Sequence, residues 1–336
     1  MRVQFGKLMR GMLLFAVVLL FFWGCQQHTS PKSLPGEQER MQLSPETEPA
    51  VSAASGVQSK QKMTVRREQI YSFTLHYPGK LERQYPLILF IPGWGSRNYE
   101  DYLTLIDFLV MKGNIVLFAP EYANEYGSRN IREEFEDMYR LCFIQKYMDT
   151  SRFGVLGHSS GGGKAFSICR YFWQKGWGKN GRFIFAMAPW FAFDMGKKEM
   201  QSLPSDTYMM IELFGNDMTT DLRIPMTIYS LLTSIPDDHK TFYIYPGTGH
   251  GYPVGRKAVS QMKGVIEPLE ALMDATFRHQ SASFAEFDKE GSDTPWQAYR
   301  DMAAPSQSYP SGCRPPSGEP LSRAIAAYDI DYCEIF

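Results

Sequence analysis

Phe153-Gly154-Val155-Leu156-Gly157-His158-Ser159-Ser160-Gly161-Gly162-Gly163-Lys164 is the stretch on which the reading of the fold turns. Phe153 to Leu156 reads as a short apolar strand, and Lys164 to Trp173 reads as a helix. Between them, Gly157, Ser159 and Gly161 have the spacing that seats a serine on a sharp strand-to-helix turn. The glycines have a steric reason, because a strained turn bends only where its neighbours lack a Cβ. Gly162 and Gly163 extend the crowded segment, and the helix that follows points its partial positive end toward developing negative charge. A bare Gly-x-Ser-x-Gly arises often by chance. Set between a strand and a helix, it makes Ser159 a candidate nucleophile.

Working outward, strands and helices alternate. Pro86 to Ile91 is a continuous apolar run, as expected of a parallel strand buried on both faces. Tyr102, Leu105, Ile106 and Leu109 recur at helical spacing, and Gly113 closes that helix. Ile115 to Ala119 is the next strand, followed by a helix running through Leu141, Ile144 and Met148. Further strands are read at Phe183 to Met187, Tyr208 to Phe214 and Thr241 to Tyr245, with helices around Met226 to Leu232 and Ala258 to Phe277. Upstream, Ile70 to Tyr77 alternates and predicts an early strand paired antiparallel with the segment before it. This order predicts an α/β fold with a mainly parallel central sheet and helices on both faces.

A serine hydroxyl needs a base. Of six histidines, His250 lies in Gly247-Thr248-Gly249-His250-Gly251-Tyr252, a loop directly after the last expected strand. His158 sits inside the turn itself, with its side chain expected to point away from the reacting Oγ. A triad in the chain order serine, acid, histidine needs its carboxylate after an earlier strand. Gly215-Asn216-Asp217-Met218-Thr219-Thr220-Asp221 supplies two candidates there. Asp217 stands nearer the strand end, and Asp221 fits a helix N-cap as well as it fits catalysis. Ile91-Pro92-Gly93-Trp94-Gly95 follows another strand, which makes the Trp94 and Ser160 backbone N–H groups the candidate oxyanion donors. Trp94, Trp190 and Tyr252 are expected to line an open cleft suited to a bulky or apolar substrate.

Pro92-Gly93-Trp94, Gly157 to Gly163 and Ala188-Pro189-Trp190 together resemble the bacterial cutinase and polyester-hydrolase group, and more loosely the dienelactone-hydrolase and chlorophyllase-type esterases. The resemblance covers roughly Leu81 to Tyr252 and implies an α/β-hydrolase fold, ester cleavage by acyl transfer and a place for Trp190 at the acyl site. Ser160 stands where the cutinase group usually has Met, and the acid loop does not align without a gap. The resemblance therefore carries ester hydrolysis and not polyester cleavage.

The N-terminus has its own pattern. Arg2, Lys7 and Arg10 precede an apolar run from Met12 to Trp23, the layout of a secretory signal. It ends at Phe22-Trp23-Gly24-Cys25, which resembles the lipobox of bacterial lipoproteins, although Trp23 is bulkier than that motif usually allows. The expected organisation is a signal over 1–25 with Cys25 as the lipidation site, a Ser-, Pro- and Gln-rich tether over 26–62, a catalytic domain over 63–280 and an extension over 281–336. Export would favour a disulfide between Cys313 and Cys333, while Cys142 and Cys169 fall in predicted helices as small core residues.

With Lys and Arg numbering 35 against 36 Asp and Glu, the chain lacks the basic excess of a nucleic-acid binder. No Cys-x-x-Cys or paired-His spacing suggests a metal, and the triad chemistry calls for no cofactor. The expected partners are an ester substrate, small or polymeric, and a membrane reached through the lipid anchor. Two rivals remain at this point: a peptidase on the same fold, and a surface lipoprotein that binds without catalysis.

Overall fold

The computed structural model describes residues 63–121, 128–220 and 223–280. Eight strands there form one sheet: β1 Val65–Ile70, β2 Phe73–Pro78, β3 Tyr85–Ile91, β4 Ile115–Phe118, β5 Met148–His158, β6 Arg182–Met187, β7 Thr207–Phe214 and β8 Lys240–Tyr245. The helices are α1 Leu103–Met111, α2 Arg129–Leu141, α3 Ser160–Gln174, α4 Lys197–Met200, α5 Arg223–Leu231 and α6 Lys263–Phe277. The spatial order is β1-β2-β4-β3-β5-β6-β7-β8. β2 runs antiparallel to β1 and β4, and the six strands from β4 to β8 are mutually parallel. This is an α/β fold with a mostly parallel sheet, as the alternation of elements predicts.

Burial on both faces explains the apolar runs. Every residue of β3 is buried, with Leu87, Leu89 and Ile91 in one layer and Ile88 and Phe90 in the other. α1 and α6 cover the layer of Ile88 and Phe90; α2, α3, α4 and α5 cover the opposite one. Period-two alternation thus serves two cores at once.

The order also fixes where a site can form. From β3 the chain crosses to β4 on one side, whereas from β5 it proceeds to β6 on the other. The carboxyl ends of β3 and β5 therefore flank a topological switch point, where the diverging connections leave a crevice.

Three local expectations are corrected. The expected strand Ile70 to Tyr77 is broken at Tyr71, in the left-handed region at φ 53°, so β1 and β2 form a hairpin. The helix read through Met148 ends at Leu141. Cys142 turns extended behind it, Phe143 is exposed, and buried Ile144 and Met148 reach the core from a short 3-10 turn and from the first residue of β5. Cys142 accordingly follows that helix rather than lying in it; like Cys169 in α3 it is buried and unpaired. β5 begins five residues earlier than the apolar run at Phe153 suggests, because the half-exposed polar segment Asp149–Arg152 spans a register shift against β3. Cys25, Asp221, Cys313, Cys333, the tether and the 281–336 extension lie outside the described residues. Among the described residues, no helix is long and apolar enough to cross a membrane.

Candidate active site

Ser159 sits between β5 and α3 with φ 54° and ψ −120°. A non-glycine residue in that region costs about 1–3 kcal/mol and persists only where its surroundings over-determine it. They do so here. Ser159 N–H donates to Met187 O at 2.9 Å, and Ser159 O accepts from Gly163 N at 3.1 Å and Trp190 N at 2.9 Å. The elbow is crowded enough to require its two motif glycines. A Cβ on Gly157 would stand 2.3 Å from Gly161 O, and one on Gly161 would stand 2.2 Å from Ile91 O at the end of β3.

His250 and Asp217 meet. His250 Nδ1 lies 2.8 Å from Asp217 Oδ2, and the Asp217 side chain is wholly buried. Asp217 Oδ1 accepts from the backbone N–H groups of Thr219 at 2.7 Å and Thr220 at 3.1 Å. Burial pushes the Asp217 carboxyl up; the bonds from His250 and from these two amides outweigh it and hold the group below the usual carboxylate range. Thr220 Oγ1 stands 3.2 Å from His250 Nδ1 and 3.4 Å from Ala188 O. Since a carbonyl only accepts, the hydroxyl donates to Ala188 and accepts from the imidazole, which places the Nδ1 proton between Thr220 and Asp217.

Ser159 Oγ makes no hydrogen bond among the described residues, to His250 or to any other group. The residue before Ser159 does approach that loop: the ring of His158 stands 4.7 Å from that of His250, centroid to centroid.

The loop after β3 lies against the elbow. A Cβ on Gly93 would be 3.5 Å from Ser159 Cβ and 3.3 Å from His158 Nδ1. Trp94 therefore begins its run at the mouth of the crevice, and Ser160 opens α3, whose first N–H groups have no partner within the helix. Trp94 and Trp190 are half-buried and meet edge to face at 5.9 Å. Tyr252 does not join them. It stacks on Tyr245 at 5.2 Å, packs on Phe214 and accepts from Gly264 N at the start of α6, so the expected three-aromatic lining reduces to a tryptophan pair.

Behind Ser160 lies a buried ion pair that the sequence reading passed over. Lys164 Nζ donates to both carboxylate oxygens of Glu121, at 2.7 and 2.8 Å, and Ser160 Oγ donates to Glu121 Oε1 at 3.2 Å. Both charged side chains are essentially inaccessible. A signal was present, since Lys164 stands among apolar Ala165, Phe166 and Ile168, and a lysine is almost never buried without a partner. Nothing in the sequence points to Glu121 as that partner. Thr220 and Tyr102 likewise read only as a loop residue and a core aromatic.

Among the described residues, no group of three or more His, Cys, Asp or Glu side chains could hold a metal ion. A separate groove of 810 Å³, lined by Tyr71, Ser72, Glu134, Asp137, Arg140 and Leu141, shares no residue with this site. Neither a scan against models of known protein families nor a search of curated proteins finds a match to this chain.

Proposed function

We propose that this chain is a serine hydrolase of the α/β-hydrolase type that cleaves carboxylic esters, with Ser159, His250 and Asp217 as its triad. The observation that carries the reading is the serine at φ 54°, ψ −120° on a strand-to-helix turn, with a hydrogen-bonded His250–Asp217 pair on the loops leaving β8 and β7. A strained serine conformation is an expensive feature to keep without a use for the exposed hydroxyl.

Ser159 Oγ attacks the ester carbonyl while His250 Nε2 takes its proton. The tetrahedral oxyanion is held by the backbone N–H groups of Trp94 and Ser160, and collapse of the intermediate expels the alcohol, which receives that proton from His250. Water activated by the same imidazole then cleaves the acyl-enzyme, releases the carboxylic acid and restores Ser159. Asp217 keeps the Nδ1–H tautomer and stabilises the imidazolium formed in each half. Ser160 Oγ, bonded to Glu121, braces the first turn of α3, where one oxyanion donor stands. The Trp94–Trp190 pair favours an apolar acyl or alcohol group beside Ser159.

Incubating the full chain with a fluorophosphonate probe, followed by p-nitrophenyl ester and peptide panels, tests this. Labelling at Ser159 with turnover of esters and not of peptides is expected. An unlabelled Ser159 would leave the binding-only lipoprotein, and peptide turnover would leave the peptidase.

We further propose that the enzyme is exported and anchored through a lipidated Cys25, with 26–62 as its tether. A basic start, an apolar run and Gly24-Cys25 support this. Several acyl chains on one cysteine would make detachment slow, whereas a single chain binds only marginally. Intact-mass measurement of the membrane fraction is expected to find a lipid-modified Cys25 at the mature N-terminus; an unmodified N-terminus in the soluble fraction overturns it.

A further inference from the structure

The loop that carries His250 is tied through the main chain of its neighbours, by Asn216 N to Thr248 O at 2.7 Å, Tyr252 N to Gly249 O at 2.9 Å and Val254 N to Gly251 O at 3.0 Å, but it has little side-chain packing. Glycines stand at 247, 249 and 251, and a Cβ built on Gly247 or Gly251 would meet nothing within 4 Å. Those main-chain bonds fix residues 248, 249 and 251 and not residue 250 itself, yet general-base catalysis depends on a fixed ring position. The Asp217 bond fixes one edge of the imidazole, and the main chain of residue 250 needs its own restraint.

That restraint comes from the residue before the nucleophile. His158 Nε2 stands 3.0 Å from His250 O, and His158 Nδ1 stands 2.8 Å from Tyr102 Oη. Tyr102 Oη in turn accepts from Gly93 N–H at 3.1 Å. The proton positions follow from valence. A carbonyl oxygen accepts only, so His158 Nε2 carries the hydrogen. Burial and the neighbouring His250 hold the His158 imidazole neutral, with its pKa lowered to about 3, so Nδ1 is bare and Tyr102 must donate to it. The ordered path is Gly93 N–H to Tyr102 Oη, Tyr102 O–H to His158 Nδ1, and His158 Nε2–H to His250 O. His158 and Tyr102 are both buried, which shields each bond from competition by water.

We infer that His158 is a positioning residue: its Nε2-protonated ring locks the main chain of His250 to Tyr102 and, through that hydroxyl, to Gly93 beside Ser159. The inference rests on the esterase reading above and extends it, because it couples three loops of the site through one imidazole. The loop after β3, the elbow and the loop after β8 keep their register together. A ring that only filled space would need neither nitrogen in a defined state. His158 acts through His250 and touches no reacting atom.

The test uses the full chain with ¹⁵N-labelled histidine. In the wild type, the resonances that vanish in His158→Gln are expected to show a protonated Nε2 and a bare Nδ1. Kinetically, His158→Leu and Tyr102→Phe are each expected to lower kcat on a p-nitrophenyl ester by about tenfold or more with KM within about twofold, since an ångström of misplacement of a catalytic group costs up to about a hundredfold. His158→Gln presents an amide oxygen and an N–H at similar reach, and is expected to recover most of the loss seen in His158→Leu. Should His158→Leu not fold, Tyr102→Phe, which removes a single oxygen atom, gives the same kinetic reading. A protonated Nδ1 in the wild type, or wild-type kcat in both Tyr102→Phe and His158→Leu, overturns the inference. If wild-type Ser159 fails to take a fluorophosphonate, the esterase reading itself fails and this inference falls with it; that failure is read from the label and not from the tautomer.

Discussion

His250 Nδ1 donates to Asp217 Oδ2 over 2.8 Å, joining an imidazole with 18% of its side chain exposed to a carboxylate with none. The pair is thus anchored at its buried end and open at the other, an arrangement that suits the proposed role of His250 as a base toward serine and water. Asp217→Asn is expected to lower kcat by about ten-thousandfold by favouring the wrong imidazole tautomer, with little change in KM. Thr220→Val, which removes only the weaker acceptor, should cost much less. Asp221→Ala should leave turnover largely intact; a severe loss there with an active Asp217→Asn would reassign the acid. Steady-state kinetics on one ester substrate decides it.

Ser159→Ala and His250→Ala should each abolish ester hydrolysis. Ser159→Gly should be equally inactive but more stable than the wild type by about 1 kcal/mol, because glycine adopts a φ of 54° without strain. Urea unfolding of the three variants measures this, and a glycine variant no more stable than the alanine one would show that the elbow stores no strain.

Lys164 and Glu121 share a site closed to solvent. Removing one charge leaves the other buried without its counter-charge, so Lys164→Met alone should cost about 3–5 kcal/mol of stability. Lys164→Met with Glu121→Leu should recover most of that, since replacing both partners by apolar groups is often close to neutral. If the single and double variants unfold at the same denaturant concentration, the pair contributes nothing through its charges.

Stability should depend on pH in a way set by three buried groups. Burial, with Arg67 beside His76 and His250 beside His158, lowers both imidazoles to about 3 from an ordinary 6.5. As pH falls from 6.5 toward 3, the unfolded chain takes up two protons that the folded protein excludes, so the stability these groups contribute is complete above 6.5 and is lost on acidification. Each costs up to about 1.4 kcal/mol per pH unit. Glu212 opposes them. Among the described residues both its carboxyl oxygens lack a hydrogen-bond partner, and burial raises its pKa well above 4.5, so its contribution is complete below 4.5 and is lost as pH rises. Between 4.5 and 6.5 these groups leave a net slope of about one proton. Glu212→Met should steepen that slope to about two protons and stabilise the protein more at pH 8 than at pH 4, as read by denaturant titrations across pH. An unchanged slope would mean that Glu212 ionises normally in the fold.

The alternation of β3, β4, β6 and β7 with helices was legible because strands buried on both faces are mainly apolar, and local pattern records that directly. The elbow was legible for a related reason. Gly157 answers a clash with Gly161 four residues on, a local constraint that leaves a spacing behind, whereas Gly161 answers one with Ile91 O at the end of β3. The end of α2 at Leu141 was not legible, since Leu141, Ile144 and Met148 recur at helical spacing although Ile144 and Met148 reach the core from beyond the helix.

What the sequence by itself determined is the class of fold, the serine on its turn and the loop that holds His250. The preference for Asp217 over Asp221 rested on distance from a strand end; a hydrogen bond to His250, 33 residues away, is decided only when β7 and β8 lie side by side. The same holds for the pairing of Glu121 with Lys164, the removal of Tyr252 from the tryptophan pair and the bonding of His158 to Tyr102 and His250. Apart from Tyr252, which stacks on Tyr245 seven residues away, each joins groups from separate crossovers of the sheet. Hydrogen bonds and ion pairs act over about 3 Å, and no periodicity along the chain encodes which distant residues will come that close.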